Sequence, residues 1–216
     1  AYSADGRRVK KTVNATATKY YYDGDELVLE KTGSDKIYYL HGPRIDELIS
    51  DSRGYCYQTD GLGSVVSITD ANGAQANSYD YKAFGELRSQ SGAVANAWLY
   101  TGRQYDLENG LYFYRSRYYD ARVGRFTAKD PSLLLQPNWR ATVYLLPFQL
   151  RSPLELQGYL YCINNSTNLI DPFGLEANNK SWWQRVWDRW SNTVTYDERR
   201  AREIAFEVAA KYPRAH

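Results

Sequence analysis

Cysteine and histidine are scarce in this chain, with two of each among 216 residues. Two cysteines cannot build the multi-bridge framework that holds small secreted domains together. Cys56 and Cys162 each sit between aromatic or apolar neighbours (Tyr55-Cys-Tyr57, Tyr161-Cys-Ile163) and read as core thiols. His41 and His216 stand in no metal-ligand spacing, so the chain calls for no metal, no Ser-His-Asp triad and no cofactor. No apolar run is long enough for a membrane-spanning helix, and membrane insertion is not expected. The first residues, Ala1-Tyr2-Ser3-Ala4-Asp5, lack a basic stretch followed by an apolar one, so no signal peptide is expected in this chain. Its start without Met suits a fragment or a processed product. Gly61-Leu-Gly63 reads as a turn rather than a phosphate cradle. A dominant charge is missing too. Residues 1–175 carry 19 basic and 19 acidic side chains and residues 176–216 carry 8 and 6, so nucleic acid is not expected as a partner of the body.

What the chain has in abundance is tyrosine, 21 residues, within a hydrophobic share of 43% that suffices for a packed core. Aromatic side chains favour strands, and a phenol suits a position with one dry and one wet end. Tyrosine followed by glycine recurs loosely through the first half: Tyr2-x-x-Asp5-Gly6, Tyr22-Asp23-Gly24, Tyr39-x-x-Gly42, Tyr57-x-x-Asp60-Gly61 and Tyr81-x-x-Phe84-Gly85. The spacing, roughly 18–24 residues, is that of small stacked repeats. Between the glycines lie β-rich stretches, Glu26–Glu30, Lys36–Leu40 and Ser64–Thr69, and Asp-Gly and Asn72-Gly73 are hairpin-turn signals. A lone hairpin is unstable in water, so such repeats must stack into an extended, coiled antiparallel sheet.

Strands are expected to continue through Ala97–Thr101 and Leu111–Tyr119. Leu133 to Leu156 is apolar but broken by Pro137, Pro147 and Pro153, which suits an ordered loop or insertion. The tail changes character. Trp183, Val186, Trp187, Trp190 and Val194, then Ala201, Ile204, Ala205, Val208, Ala209 and Tyr212, follow helical spacing. Ser181-x-x-Gln184 and Thr195-x-x-Glu198 resemble capping boxes. The Trp stripe reads first as packing, and the Arg199-Arg200-x-Arg202 run, balanced by Asp197, Glu198 and Glu203, as a solvated face.

Two long motifs carry a family resemblance. Gly110-Leu-Tyr-Phe-Tyr-Arg-Ser-Arg-Tyr-Tyr-Asp-Ala-Arg-Val-Gly-Arg-Phe-Thr-Ala-Lys-Asp-Pro131 and Tyr159-Leu-Tyr-Cys-Ile-Asn-Asn-Ser-Thr-Asn-Leu-Ile-Asp-Pro-Phe-Gly-Leu175 resemble the Rhs-repeat-associated core of bacterial tyrosine-aspartate (YD) repeat proteins. His41-Gly-Pro-x-Ile-Asp46-Glu47 and Thr59-Asp-Gly-Leu-Gly-Ser-Val-Val66 resemble the last repeats of that family. The resemblance covers residues 1–175. It implies a mainly β fold, a spiralling antiparallel hairpin-repeat sheet closed by the Rhs core. The corresponding division is YD repeats over 1–97, the core over 98–175 and a helical, toxin-side tail over 176–216. It also implies function: the end of a shell that encloses a polymorphic toxin and cuts the chain after Asp-Pro-x-Gly-Leu. By motif, the cleavage residues become Arg117, Asp130 and Asp171, acting on Leu175–Glu176 within Pro172-Phe173-Gly174-Leu175.

The implied chemistry is self-consistent. Two close carboxyl groups share one proton, so one can act as base toward water while the other acts as acid toward the scissile carbonyl. Arg117 would hold one carboxylate ionised or stabilise oxyanion charge. Gly174 lets the segment bend back. Taken singly, Asp130 and Asp171 are ordinary turn residues before proline, and Arg117 among tyrosines is an ordinary ring-stacking arginine. Asp130 and Asp171 are 41 positions apart, longer than the resemblance leads one to expect, with the surplus in the proline-broken stretch near Leu135–Ser152. The partner implied is the chain's own C-terminal tail, and the location is outside the cell or on its surface after export by a specialised secretion system. The competing expectation is a non-catalytic module that presents tyrosine-rich sheet to carbohydrate or a cell-surface protein, as similar repeats do in teneurins.

Overall fold

The computed structural model describes residues 1–3, 6–131 and 157–175, all within one unit, Ala1–Asn178. The expected tail helices and their caps, and the proline-broken stretch, lie outside the described residues. The described part is mainly β and wholly antiparallel. Nine strands follow one another in order across one sheet: β1 (Lys10–Val13), β2 (Thr16–Asp23), β3 (Glu26–Thr32), β4 (Asp35–His41), β5 (Leu48–Asp51), β6 (Cys56–Thr59), β7 (Val65–Thr69), β8 (Gln75–Tyr81) and β9 (Leu87–Gly92). A second sheet follows, again in chain order: β10 (Gln104–Asp106), β11 (Leu111–Tyr114), β12 (Arg117–Asp120) and β13 (Arg125–Phe126). Each strand pairs with the next, so the long pattern of alternating residues needs only tight turns to become a sheet.

Those turns come in two kinds. The first hairpins use two-residue loops: Asn14-Ala15, both at positive φ as a primed turn requires, then Gly24-Asp25 and Gly33-Ser34. Later ones use a four-residue turn closed by glycine. Asp51-Ser-Arg-Gly54, Asp60-Gly-Leu-Gly63, Asp70-Ala-Asn-Gly73 and Lys82-Ala-Phe-Gly85 each bond the glycine N–H to the first carbonyl at 2.8–3.0 Å. In two of them the leading carboxylate takes two further backbone N–H groups: Asp60 Oδ1 from Leu62 and Ser64, and Asp70 Oδ1 from Asn72 and Ala74. At Asp60-Gly61 the left-handed residue is therefore Gly63, not Gly61.

Period-two alternation sends one side of the repeat sheet into the core. Tyr20, Leu27, Tyr39, Tyr57, Ile68 and Tyr79 are buried there with Trp98, Tyr100, Tyr112, Tyr114, Tyr119 and Tyr161 of the following segments. The same alternation exposes Cys56. Its neighbour Tyr57 points inward on β6, so the thiol faces out, against the expectation of a core cysteine; Cys162 is buried as expected. The phenol tips then fasten the repeats to the core at one turn. Gly85, Phe84 and Ala83 carbonyls accept from Tyr112 (2.9 Å), Tyr119 (2.8 Å) and Ser166 (2.7 Å). Gly85 is required at φ +86, and a Cβ there would strike the Tyr100 ring at 2.3 Å.

Two expected strands are broken. Ala97–Thr101 contributes one bridge, Trp98 to Gln104, before a 3-10 turn at Tyr100–Gly102 with Thr101 at φ +48. Leu111–Tyr119 folds back on itself at Arg115-Ser116, pairing Tyr114 with Arg117. The reason in the first case is tertiary. Val65 N–H reaches the Leu99 carbonyl at 3.1 Å, and Thr101 N–H reaches Ser64 Oγ at 3.2 Å, so this strap serves the repeat sheet rather than a continuous strand.

Burial holds the phenols of Tyr20, Tyr39, Tyr57, Tyr112 and Tyr119 above the ordinary value of 10.0. Below that value these groups are protonated in both states and the folded chain keeps its full stability. Above it the unfolded chain sheds protons that the folded chain retains, so stability falls by about 1.4 kcal/mol per pH unit for each such phenol. Melting temperature is therefore expected to hold up to about pH 9 and to drop steeply above about pH 10. Absorbance titration at alkaline pH should show a fraction of the tyrosines ionising only on unfolding; smooth titration of all of them in the folded chain would contradict this.

Candidate active site

The site is built on the β11–β12 hairpin. Its two-residue turn, Arg115-Ser116, puts Arg115 at φ +52 and starts β12 with Arg117, whose side chain points into the core. The closing Asp171–Leu175 segment lies directly on this turn. Arg115 Nη1 donates to the Pro172 carbonyl, Ser116 N–H to the Phe173 carbonyl at 3.4 Å, and Arg117 Nε to the Gly174 carbonyl. Three consecutive donors thus hold three consecutive carbonyls. Gly174 stands at φ +65, and a Cβ on it would meet the Tyr114 carbonyl at 2.5 Å, so glycine is needed both for the bend and for the close approach.

Arg117 collects the three residues marked out by motif. Its Nη2 lies 2.9 Å from Asp130 Oδ2 and 3.4 Å from Asp171 Oδ2. The two carboxylate oxygens are therefore no farther apart than those contacts laid end to end. Nη1 donates to the Gly158 carbonyl at 2.9 Å, and the guanidinium carbon sits 3.6 Å over the Phe126 ring. The ring-stacking and ion-pairing readings of Arg117 both hold. All three charged residues are buried. Burial pulls the Arg117 guanidinium below its usual value, against the pull of Asp130 and Asp171.

Asp171 also shapes the segment that carries the bond of interest. Its Oδ1 accepts the Leu175 N–H at 3.1 Å, and its own carbonyl accepts the Gly174 N–H at 3.2 Å. The turn-forming role of an aspartate before proline is thus present together with the charged contact. Leu175 is half-buried; Glu176 lies outside the described residues. The spacing between Asp130 and Asp171 is accommodated because Asp130 N–H donates to the Gly158 carbonyl at 2.8 Å. Residues 130 and 158, on either side of the residues outside the described part, are thus neighbours, and chain length between two such points alone costs little entropy.

A second buried cluster adjoins the first, and motif reasoning did not single it out. Asp46, at φ +60 in the loop between β4 and β5, accepts from Arg103 Nη1 at 2.6 Å and from Arg115 Nη2 at 2.8 Å on Oδ1. Its Oδ2 accepts from Arg115 Nη1 at 3.0 Å, and its N–H donates to Glu26 Oε1 at 3.0 Å. Arg115 also reaches the Asp25 carbonyl at 2.9 Å and lies 5.2 Å from the Phe173 ring. The available signal was that Asp46 and Arg115 fall inside two of the four family motifs already quoted, His41–Glu47 and Gly110–Pro131. Apart from these clusters, an open cavity of about 840 Å³ runs along the repeat sheet, lined among others by Glu30, Tyr39, Arg53, Asn77 and Tyr79 and by none of the three cleavage candidates. No metal-binding cluster and no membrane-length apolar helix occur among the described residues.

A family model described as the teneurin YD-shell matches residues 31–168. The tRNA nuclease WapA of Bacillus subtilis (strain 168) is 32% identical over 182 residues, which is 80% of this chain and 7% of WapA. The double-stranded DNA deaminase toxin A of Burkholderia cenocepacia (strain H111) is 26% identical over 214 residues, 82% of this chain and 14% of the toxin. Among solved structures, the Photorhabdus luminescens Tc holotoxin pore aligns with a TM-score of 0.57 at 19% identity, covering 83% of this chain and 9% of that one. A TcdB2-TccC3-Cdc42 crystal structure aligns at 0.55 and 20% identity, covering 81% and 9%. The likeness to these structures is one of fold, and this chain spans less than a tenth of the WapA and Tc chains.

Truncating Arg117 to alanine would strand two buried carboxylates. The expected loss is about 3–5 kcal/mol of folding stability, read as a lowered urea midpoint. A loss below about 1 kcal/mol would mean that water reaches the pair.

Proposed function

Because this chain belongs to the teneurin YD-shell family, we propose that it is the closing end of a β-repeat shell that cuts its own chain after Leu175 and frees a C-terminal effector segment. One observation carries the reading. Arg117 gathers Asp130 and Asp171, buried, beside a turn whose Leu175 amide is bonded to Asp171. The relatives support the carrier role. One is named for a tRNA nuclease and another for a DNA deaminase, two unrelated chemistries, which supports reading the region they share with this chain as a carrier. The proposed partner is the chain's own segment from Glu176 onward, and the proposed site of action is outside the producing cell, after export.

The reaction is hydrolysis of the Leu175–Glu176 peptide bond. The ionised carboxylate takes a proton from water as its oxygen bonds to the Leu175 carbonyl carbon. The protonated carboxyl donates to the Glu176 nitrogen as the C–N bond breaks, leaving the two aspartates with exchanged protonation, a Leu175 carboxylic acid and a Glu176 amine, and the acid proton then passes to the amine. Arg117 balances the charge that remains on the pair, and its bond to the Gly174 carbonyl holds the scissile segment in reach. After cleavage the product end, Pro172–Leu175, keeps its grip on the hairpin turn, which makes the event a single turnover.

Intact mass of the full chain tests this. The expected outcome is one fragment ending at Leu175 and one beginning at Glu176, which co-elute on size exclusion if the shell retains its effector. Asp130→Asn and Asp171→Asn chains are expected to stay whole. A single uncut species from the parent chain would leave a non-catalytic repeat module as the function.

A further inference from the structure

Cleavage at the end of a shell is useful only once the shell has closed, and the buried ionic cluster next to the site provides a physical link between the two. Asp46 belongs to the repeat sheet, held in the β4–β5 loop by its N–H bond to Glu26 on β3 and by the Gly42 N–H to Glu47 carbonyl bond of 2.7 Å. Arg115 belongs to the core hairpin and touches the Asp171–Leu175 segment through the Pro172 carbonyl. The two are 69 positions apart in sequence, yet both Asp46 oxygens contact Arg115. Arg103, from the strap that leads into β10, completes the cluster from the other side, and Gly102 is tight enough that a Cβ would strike the Asp46 carbonyl at 2.6 Å.

A forked guanidinium can serve both a carboxylate and a carbonyl only when all three are in place. Without Asp46, Arg115 would lose its close bidentate partner and keep only Glu26, at 4.0 Å, as an ion-pair partner, so the guanidinium would be drawn out of its place beside Pro172. The neighbouring contacts, from Ser116 to Phe173 and from Arg117 to Gly174, come from the same turn and would shift with it. We infer that Asp46 and Arg115 form a positioning latch, by which docking of the repeat sheet against the core sets the Pro172–Leu175 segment in its productive geometry. This rests on the cleavage reading for its purpose, but the latch is a structural coupling that can be measured without cleavage. Neither residue touches the reacting atoms.

The test uses the full chain in two arms. In the parent background, Asp46→Asn keeps the size and tolerates positive φ but loses the charge, and Arg115→Lys keeps the charge but loses the fork. Each is expected to slow the appearance of the Leu175-ended fragment roughly tenfold to a hundredfold, with the shape of the pH profile unchanged because the proton-transfer groups are intact. In an uncut Asp130→Asn background, hydrogen exchange at the Gly174 and Leu175 amides is expected to accelerate about tenfold in both variants while β7 and β8 amides keep their protection. Asp46→Glu, which restores the carboxylate, should recover part of both effects. Unchanged exchange at Gly174 and Leu175 would overturn the latch, as would protection lost evenly across β7 and β8 in both variants, which would assign the pair to general stability. Should the parent chain never cut, the cleavage reading fails, and the exchange arm still decides the latch.

Discussion

A guanidinium in a protein interior has to find an acceptor for each of its faces, and Arg117 finds them in separate stretches of the chain. It reaches Asp130, Gly158, Asp171 and Gly174, with Phe126 under its plane. Burying that charge is costly, and one partner alone would not offset the cost. The remedy is convergence: the end of the second sheet, the return from the long intervening stretch and the closing segment must all meet at one side chain. The same convergence sets two buried carboxyl groups beside the closing segment, with Asp171 Oδ1 accepting the Leu175 N–H.

Tyrosine serves the same end by neutral means. A ring fills the core while its hydroxyl satisfies a backbone carbonyl that would otherwise be buried without a donor. At the Lys82–Gly85 turn, Tyr112, Tyr119 and Ser166 do this for three carbonyls in a row, so a turn of the repeat sheet becomes an anchor for the core. Tyr114 and Tyr161 extend the network inward, joined to each other at 3.2 Å, with Tyr114 also bonded to Thr101 at 2.6 Å. The abundance of tyrosine is thus explained by a fold in which aromatic packing and carbonyl satisfaction are needed at the same positions.

Much of this could be read from residue order. Alternation and glycine spacing pointed to antiparallel hairpins; of the repeat tyrosines Tyr39 and Tyr57 are buried, whereas Tyr2 is exposed and Tyr22 and Tyr81 are half-buried, the buried places falling to Tyr20 and Tyr79 two residues earlier on the same strands. The motifs pointed to Arg117, Asp130 and Asp171, which do meet. The failures are informative for their cause. Cys56 looked like a core residue from its aromatic neighbours, but neighbours in a strand face opposite sides, so Tyr57 being in places Cys56 out. Leu111–Tyr119 looked like one strand because its residues all favour strands. Arg115 instead turns the chain at positive φ, where its guanidinium meets Asp46 and Pro172, partners that no local pattern encodes.

The order of residues alone determined the strand-turn-strand rhythm, because side-chain alternation and the conformational freedom of glycine are local properties that act before any tertiary contact forms. It also determined which residue types were available to carry chemistry. Only the tertiary structure decided that Asp130 and Asp171 share one guanidinium across 41 positions, and that Asp46 of the repeats holds Arg115 of the core. Those pairings depend on burial, since a charge taken out of water must be met by whatever partner the closed fold brings to it, and distance along the chain says nothing about which partner that is.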